Sequence, residues 1–130
     1  MDEFHVALIE YLQNGHAQRL DVLPAIIERL EALYATITTL SAYRFYSGSL
    51  LIVYDGSPTS NSIDARMIDF AHTTHDTPVN DDDGGGGSSS RHVDPDKGYL
   101  HGLECLLGIF REILKNGRAT TGVEETHLDQ

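Results

Sequence analysis

Arg66-Met67-Ile68-Asp69-Phe70-Ala71-His72-Thr73-Thr74 is the stretch around which the chain can be read. It climbs through apolar residues as a β-strand does and delivers one carboxylate, Asp69, at its end. A histidine follows three residues later, then two hydroxyls. Taken as a strand from Asp64 to Phe70, it puts Ala65, Met67 and Asp69 on one face and Arg66, Ile68 and Phe70 on the other. An acid at a strand end beside a histidine suits a metal and a phosphate. It equally suits a structural cap, and the stretch alone leaves both readings open.

Upstream, Ser49-Leu50-Leu51-Ile52-Val53-Tyr54 is a short apolar run rich in β-formers, the pattern of a strand covered on both faces. Asp55-Gly56 and the polar Ser57–Ser62 segment with Pro58 read as a turn and loop. Two strands joined in this way predict an antiparallel hairpin. Before them, Tyr43-Arg44-Phe45-Tyr46-Ser47 alternates aromatic and polar until Gly48 breaks the pattern.

The flanking segments carry a helical period instead. Asp2 is a candidate cap for a first helix with Phe4, Leu8, Tyr11 and Leu12 on one face, stopped by Asn14-Gly15. Asp21 and Pro24 open a second, with Leu23, Ile27, Leu30, Tyr34 and Ile37 as its stripe and Ile26, Leu33 and Leu40 widening it. A third follows Asp94 or Asp96, with Leu103, Leu106, Leu107, Phe110, Ile113 and Leu114 as its face, Cys105 counted on the apolar side, and Asn116-Gly117 as its stop. The expected fold is α+β, three main helices packed on a small antiparallel sheet.

Composition limits what such a fold can do. A chain of 130 residues sets a prior of one domain or one lobe, and 40% hydrophobic residues suffice for a core. The formal net charge of −11 argues against non-specific nucleic-acid binding and against docking on an anionic membrane. One cysteine permits no disulfide framework, and the acidic start is neither a secretory signal nor a transit peptide, so the expected location is cytoplasmic or nuclear. Residues 76–94 hold Asp81-Asp82-Asp83, four glycines and three serines, the composition of a disordered insertion. They lack the ligand alternation of a calcium loop and the Lys-Ser/Thr of a phosphate loop.

Three blocks then carry a resemblance. Tyr43-Arg44-Phe45-Tyr46-Ser47-Gly48-Ser49-Leu50-Leu51-Ile52-Val53-Tyr54-Asp55-Gly56 resembles the S-L-L segment of the inositol polyphosphate kinase family. Arg66–Thr74 resembles its I-D-F-A-H segment, and Pro95-Asp96-Lys97-Gly98-Tyr99-Leu100-His101-Gly102-Leu103-Glu104 its third C-terminal block, in the same order. The first two helices, with Leu12-Gln13-Asn14-Gly15-His16 between them, resemble the inositol hexakisphosphate kinase branch. The similarity covers most of residues 1–117, with 76–94 as a variable insertion and 118–130 as a flexible tail.

The resemblance implies the C-terminal lobe of a two-lobed, protein-kinase-like fold, with ATP, Mg²⁺ and an inositol polyphosphate as reactants. Asp69 then corresponds to the metal-binding and catalytic aspartate, Ile68 to the apolar residue beneath the adenine, and His72 to a histidine on the inositol phosphate side. Ser49, Leu50 and Leu51 correspond to a segment that the family needs for activity, read here as the strand supporting Asp69. The family's P-x-x-x-D-x-K-x-G block does not occur in the sequence. The alternative expectation is therefore an inactive fragment or a degenerate, non-catalytic lobe.

Overall fold

The computed structural model describes residues 2–75 and 94–128, with side chains to Arg118, so the expected insertion lies almost wholly outside the described residues. The first helix, α1, spans Glu3–Tyr11 and starts on Asp2, whose carboxylate accepts the His5 N–H at 2.8 Å. It ends before the expected Asn14-Gly15 stop. That pair forms a turn in which Asn14 Oδ1 accepts the N–H groups of His16 and Ala17, and Gly15 takes φ +88°. A 3₁₀ turn, Leu20–Val22, leads into α2, Leu23–Thr38. Asp21 was the expected cap of α2 but lies inside the 3₁₀ turn, where Arg19 engages its carboxylate. Pro24 occupies the first turn of α2, which has no side-chain cap.

Four strands follow: β1 (Tyr43–Tyr46), β2 (Ser49–Tyr54), β3 (Ile63–Ile68) and β4 (His72–His75). They form two two-stranded antiparallel sheets rather than one. β2 pairs with β3 from Ser49↔Ile68 to Tyr54↔Ile63, and β1 with β4 from Tyr46↔His72 to Tyr43↔His75. The pairings are nested, so the two sheets are the halves of one long ribbon. Strand character was expected to run on to Phe70; β3 ends at Ile68. Between the halves, Ser47 and Gly48 on one side face Asp69, Phe70 and Ala71 on the other, the extra residue of a bulge. β4 was not expected, because His-Thr-Thr-His has no apolar alternation; pairing with β1 selects it.

The third helix, α3 (Lys97–Leu128), packs along α2. Leu100, Leu103, Leu107, Phe110 and Ile113 meet Leu23, Ile26, Ile27, Leu30 and Ile37 in one core, closed from the ribbon by buried Ala65 and half-buried Leu50, Ile52 and Met67. The helix runs through its expected stop, with Gly117 inside it. A Cβ there would lie 2.2 Å from Leu20 Cδ1, so a larger residue requires the Leu20 side chain to move aside. Cys105 is exposed, contrary to the reading. It stands two residues from both Leu103 and Leu107, hence on the opposite side of the helix, with its sulfur 3.6 Å from His101 Nε2.

Candidate active site

The three residues singled out by the sequence all stand at the break in the ribbon. Ile68 is the last residue of β3, Asp69 opens the bulge, and His72 is the first residue of β4, opposite Tyr46. Asp69 has φ +65°, and across the ribbon Ser47 has φ +57°. Left-handed backbone is costly for residues with a Cβ, and Asp is among the few that tolerate it. The strand alternation thus breaks at Asp69, and its side chain does not continue the inner face of Ala65 and Met67. Ile68 is 40% exposed, with Leu51 and Val53 beside it on the outer face, and Phe70 beyond the break is 52% exposed.

Asp69 is exposed, and among the described residues its carboxylate has no ion-pair or hydrogen-bond partner. Among those same residues no group of three or more His, Cys, Asp or Glu side chains gathers. A donor set of one free carboxylate does not suit zinc or a calcium cage. It does suit Mg²⁺, which binds through one or two carboxylates and completes its shell with water and substrate phosphates. His72, also exposed, offers imidazole nitrogens able to donate to an anionic oxygen.

The opposite end of the ribbon is built differently. Arg19 is 3% exposed, and all five of its N–H donors are used. Nε and one Nη meet the two carboxylate oxygens of Asp21 at 2.8 and 2.9 Å. The remaining donors meet the carbonyls of Asp55, Ser57 and Ser60 in the loop between β2 and β3. The Arg19 hydrogen bond and charge hold the Asp21 carboxyl below its ordinary range. Asp55 is also lowered, first by the Ser57 N–H, then by the Ser60 hydroxyl, with a smaller contribution from Arg19. Tyr11 donates to Ile52 O, Tyr54 donates to Tyr11 O, and Asn14 donates to Gly56 O, so α1 is fastened along β2. Sequence reading missed Arg19, since a lone arginine between helices carries no periodic signal; Asp21 two residues on was the one hint.

A groove of about 510 Å³ lies beside the bulge, between α2 and β3, with Arg29, Leu33, Thr36, Met67 and Phe70 in its wall. Beside it, Asp64 is shared by Arg66 at 2.6 Å and Arg29 at 3.6 Å, all three partly exposed. Glu28 lines the same surface, so two acids face the two cations there. Asp96, expected only as a helix start, does more: one carboxylate oxygen accepts the Tyr99 N–H at 3.1 Å and the other accepts the Phe45 N–H of β1 at 2.9 Å.

Residues 1–111 match the family model for inositol polyphosphate kinase. The chain is 38% identical over 128 residues to inositol hexakisphosphate kinase 3 of Mus musculus and 36% identical over 137 residues to that of Homo sapiens. It is 32% identical over 150 residues to inositol hexakisphosphate kinase 1 of Mus musculus. Each comparison covers 87% of this chain and 31%, 32% and 33% of the relative, in that order. The chain belongs to the inositol polyphosphate kinase family. It spans about a third of the length of the curated relatives it matches. Its α+β architecture is the one expected for that family's C-terminal lobe. Among the described residues no helix is long and apolar enough to cross a membrane.

Proposed function

We propose that the bulge at Asp69 is the metal-bearing part of an ATP-dependent inositol polyphosphate kinase site, acting on a substrate such as inositol hexakisphosphate. The observation that carries this is the exposed Asp69 carboxylate, without a partner among the described residues and held in left-handed backbone at a break between two ladders, inside the span that matches the family. Bound there, Mg²⁺ supplies charge neutralisation for the phosphates as charge shifts in the transition state. Asp69 fixes where the phosphates can lie. Ile68, one residue before it on the exposed outer face, gives the adenine an apolar floor. His72 faces the inositol phosphate and donates to one of its anionic oxygens. Ser49, paired with Ile68, holds the strand that ends at the site. A cytosolic or nuclear setting goes with these reactants and with a single, unpaired cysteine.

A second reading is favoured by one sequence observation, the lack of a P-x-x-x-D-x-K-x-G block. Phosphoryl transfer depends on positioning and charge neutralisation from both sides of the phosphates. In this reading the chain alone binds Mg²⁺–ATP and turns over little or nothing. The experiment is the purified chain with Mg²⁺, ATP and inositol hexakisphosphate, followed by ³¹P NMR of the products and by nucleotide binding. Product formation abolished by Asp69→Asn supports the kinase. Mg²⁺-dependent ATP binding lost in Asp69→Asn without product supports the non-catalytic lobe. Neither turnover nor Mg²⁺-dependent binding overturns both.

A further inference from the structure

We infer that Asp96 is a positioning residue for the Asp69 site, acting as a clasp between α3 and the ribbon; the inference rests on Asp69 being a metal ligand. The break in the ribbon has an anchor on each side. On the β2–β3 side, Ala65 is buried and Leu50, Ile52 and Met67 pack on the core, so the backbone leading into Asp69 is fixed by burial. On the β1–β4 side, burial is thinner: Phe45 packs against the core and Thr73 is half-buried, while Tyr46, His72, Thr74 and His75 are exposed. β4 is paired along its length with β1.

Asp96 ties β1 to α3. Its Oδ2 accepts the Phe45 N–H, a donor on the outer edge of the ribbon, while its Oδ1 accepts the Tyr99 N–H in the first turn of α3. The Leu100 N–H adds a bond to the Asp96 carbonyl. At its other end β1 is held by the Tyr43 N–H to the Leu40 carbonyl, in the turn that closes α2; the Asp96 bond is the one that joins it to the start of α3. The Phe45 ring packs on Tyr99 with centroids 5.9 Å apart, beside the same clasp. Phe45 is the register partner of Thr73, and the next pair, Tyr46↔His72, borders the bulge. One carboxylate therefore sets the start of the longest helix and the strand that closes the bulge.

The bulge needs that closure. Two non-glycine residues in left-handed backbone, Ser47 and Asp69, persist only when what surrounds them fixes both ends. With the clasp released, the β1–β4 half of the ribbon is free to swing about the bulge and Asp69 relaxes toward ordinary strand geometry. Its carboxylate then no longer points where a metal and His72 can share a phosphate. Support of a ligand by residues behind it is commonly worth tenfold or more in metal affinity.

The substitution that isolates the clasp is Asp96→Ser. Serine caps a helix about as well as aspartate, so α3 keeps its start, but a single short hydroxyl cannot also serve Phe45. The probe is Mn²⁺ alone, titrated into the ¹⁵N-labelled full chain, with paramagnetic broadening read at the amides of residues 68–72 and amide exchange read along β1, β4 and α3. In the parent chain, broadening centres on Asp69 and disappears in Asp69→Asn. Asp96→Ser is expected to raise the Mn²⁺ concentration for half-broadening about tenfold. It also speeds exchange at Tyr46 and His72 and leaves Leu103–Ile113 protected. A core substitution, Phe110→Leu, lowers the melting temperature without moving the Mn²⁺ midpoint. An unchanged midpoint in Asp96→Ser, with Asp69→Asn still abolishing the broadening, overturns the inference. An equal midpoint shift in Phe110→Leu also overturns it, because the effect is then general stability. Broadening indifferent to Asp69→Asn overturns the metal reading, and the inference with it.

Discussion

The two ends of the β2–β3 hairpin are made from the same pair of strands and differ in almost every other respect. At the loop end, Arg19 spends all five donors on Asp21 and three backbone carbonyls, and Tyr11, Tyr54 and Asn14 add bonds from the helical side. At the bulge end, Asp69 is left without a partner among the described residues, Ser47 and Asp69 hold left-handed backbone, and Ile68 and Phe70 are exposed. One end is satisfied and the other is kept open. Stability gathered at a distance lets a chain hold a strained, unsatisfied residue where a ligand is to bind.

The sharpest way to break this contrast is at Arg19. Arg19→Ala should cost about 3 kcal/mol, since it strips the Asp55, Ser57 and Ser60 carbonyls and the Asp21 carboxylate of a charged donor together. Urea denaturation checks it; a variant within about 0.5 kcal/mol of the parent would mean that the loop end is not the anchor. The opposite sign is expected at the bulge. Asp69→Gly removes the Cβ that resents φ +65° and should gain about 1 kcal/mol while losing metal binding. If stability falls, the strain argument fails.

Glycines in α3 extend the test. Gly102 has nothing within 4 Å of a built Cβ, so Gly102→Ala should gain up to about 1 kcal/mol from helix propensity. Gly117→Ala should gain clearly less, because the Leu20 side chain must move away from the new Cβ. Thermal melts should rank Gly102→Ala above Gly117→Ala; the reverse order would mean that the Leu20 contact costs nothing.

The smallest effect is in pH. Asp21 and Asp55 both have folded-state pKa values below their ordinary range. A group lowered on folding binds more protons when unfolded, so stability rises with pH across that window. The contribution is whole above about pH 4 and is lost as pH falls through the lower folded values. Melting temperature should therefore drop below about pH 4, less steeply in Asp21→Asn.

Much of this molecule can be read from the chain, and what cannot has identifiable causes. The α2 stripe and the Leu103–Ile113 face of α3 are where the 3.6 period puts them, and they are the core. The β2–β3 hairpin follows from an apolar run, a turn and a second run. The bulge does not, because alternation is a local rule and the break is imposed by two ladders whose registers differ by one residue. Asn116-Gly117 carries the signature of a helix stop, yet α3 runs through it, with Leu20, far away in sequence, packed beside Gly117. Cys105, expected on the apolar side of the helix, is exposed, because its position midway between Leu103 and Leu107 puts it on the other side. The candidate residues Ile68, Asp69 and His72 are picked out by their motif; the anchors Arg19 and the strand-holding oxygen of Asp96 are not, since both act on backbone groups, which leave no mark in a sequence.

The central claim is that Asp69 holds the metal for a nucleotide's phosphates, and titration calorimetry of ATP into the full chain with and without Mg²⁺ tests it most directly. The account predicts binding that requires Mg²⁺ and weakens about 10- to 100-fold in Asp69→Asn. Binding equally tight in the presence of a chelator, or unchanged in Asp69→Asn, would contradict it.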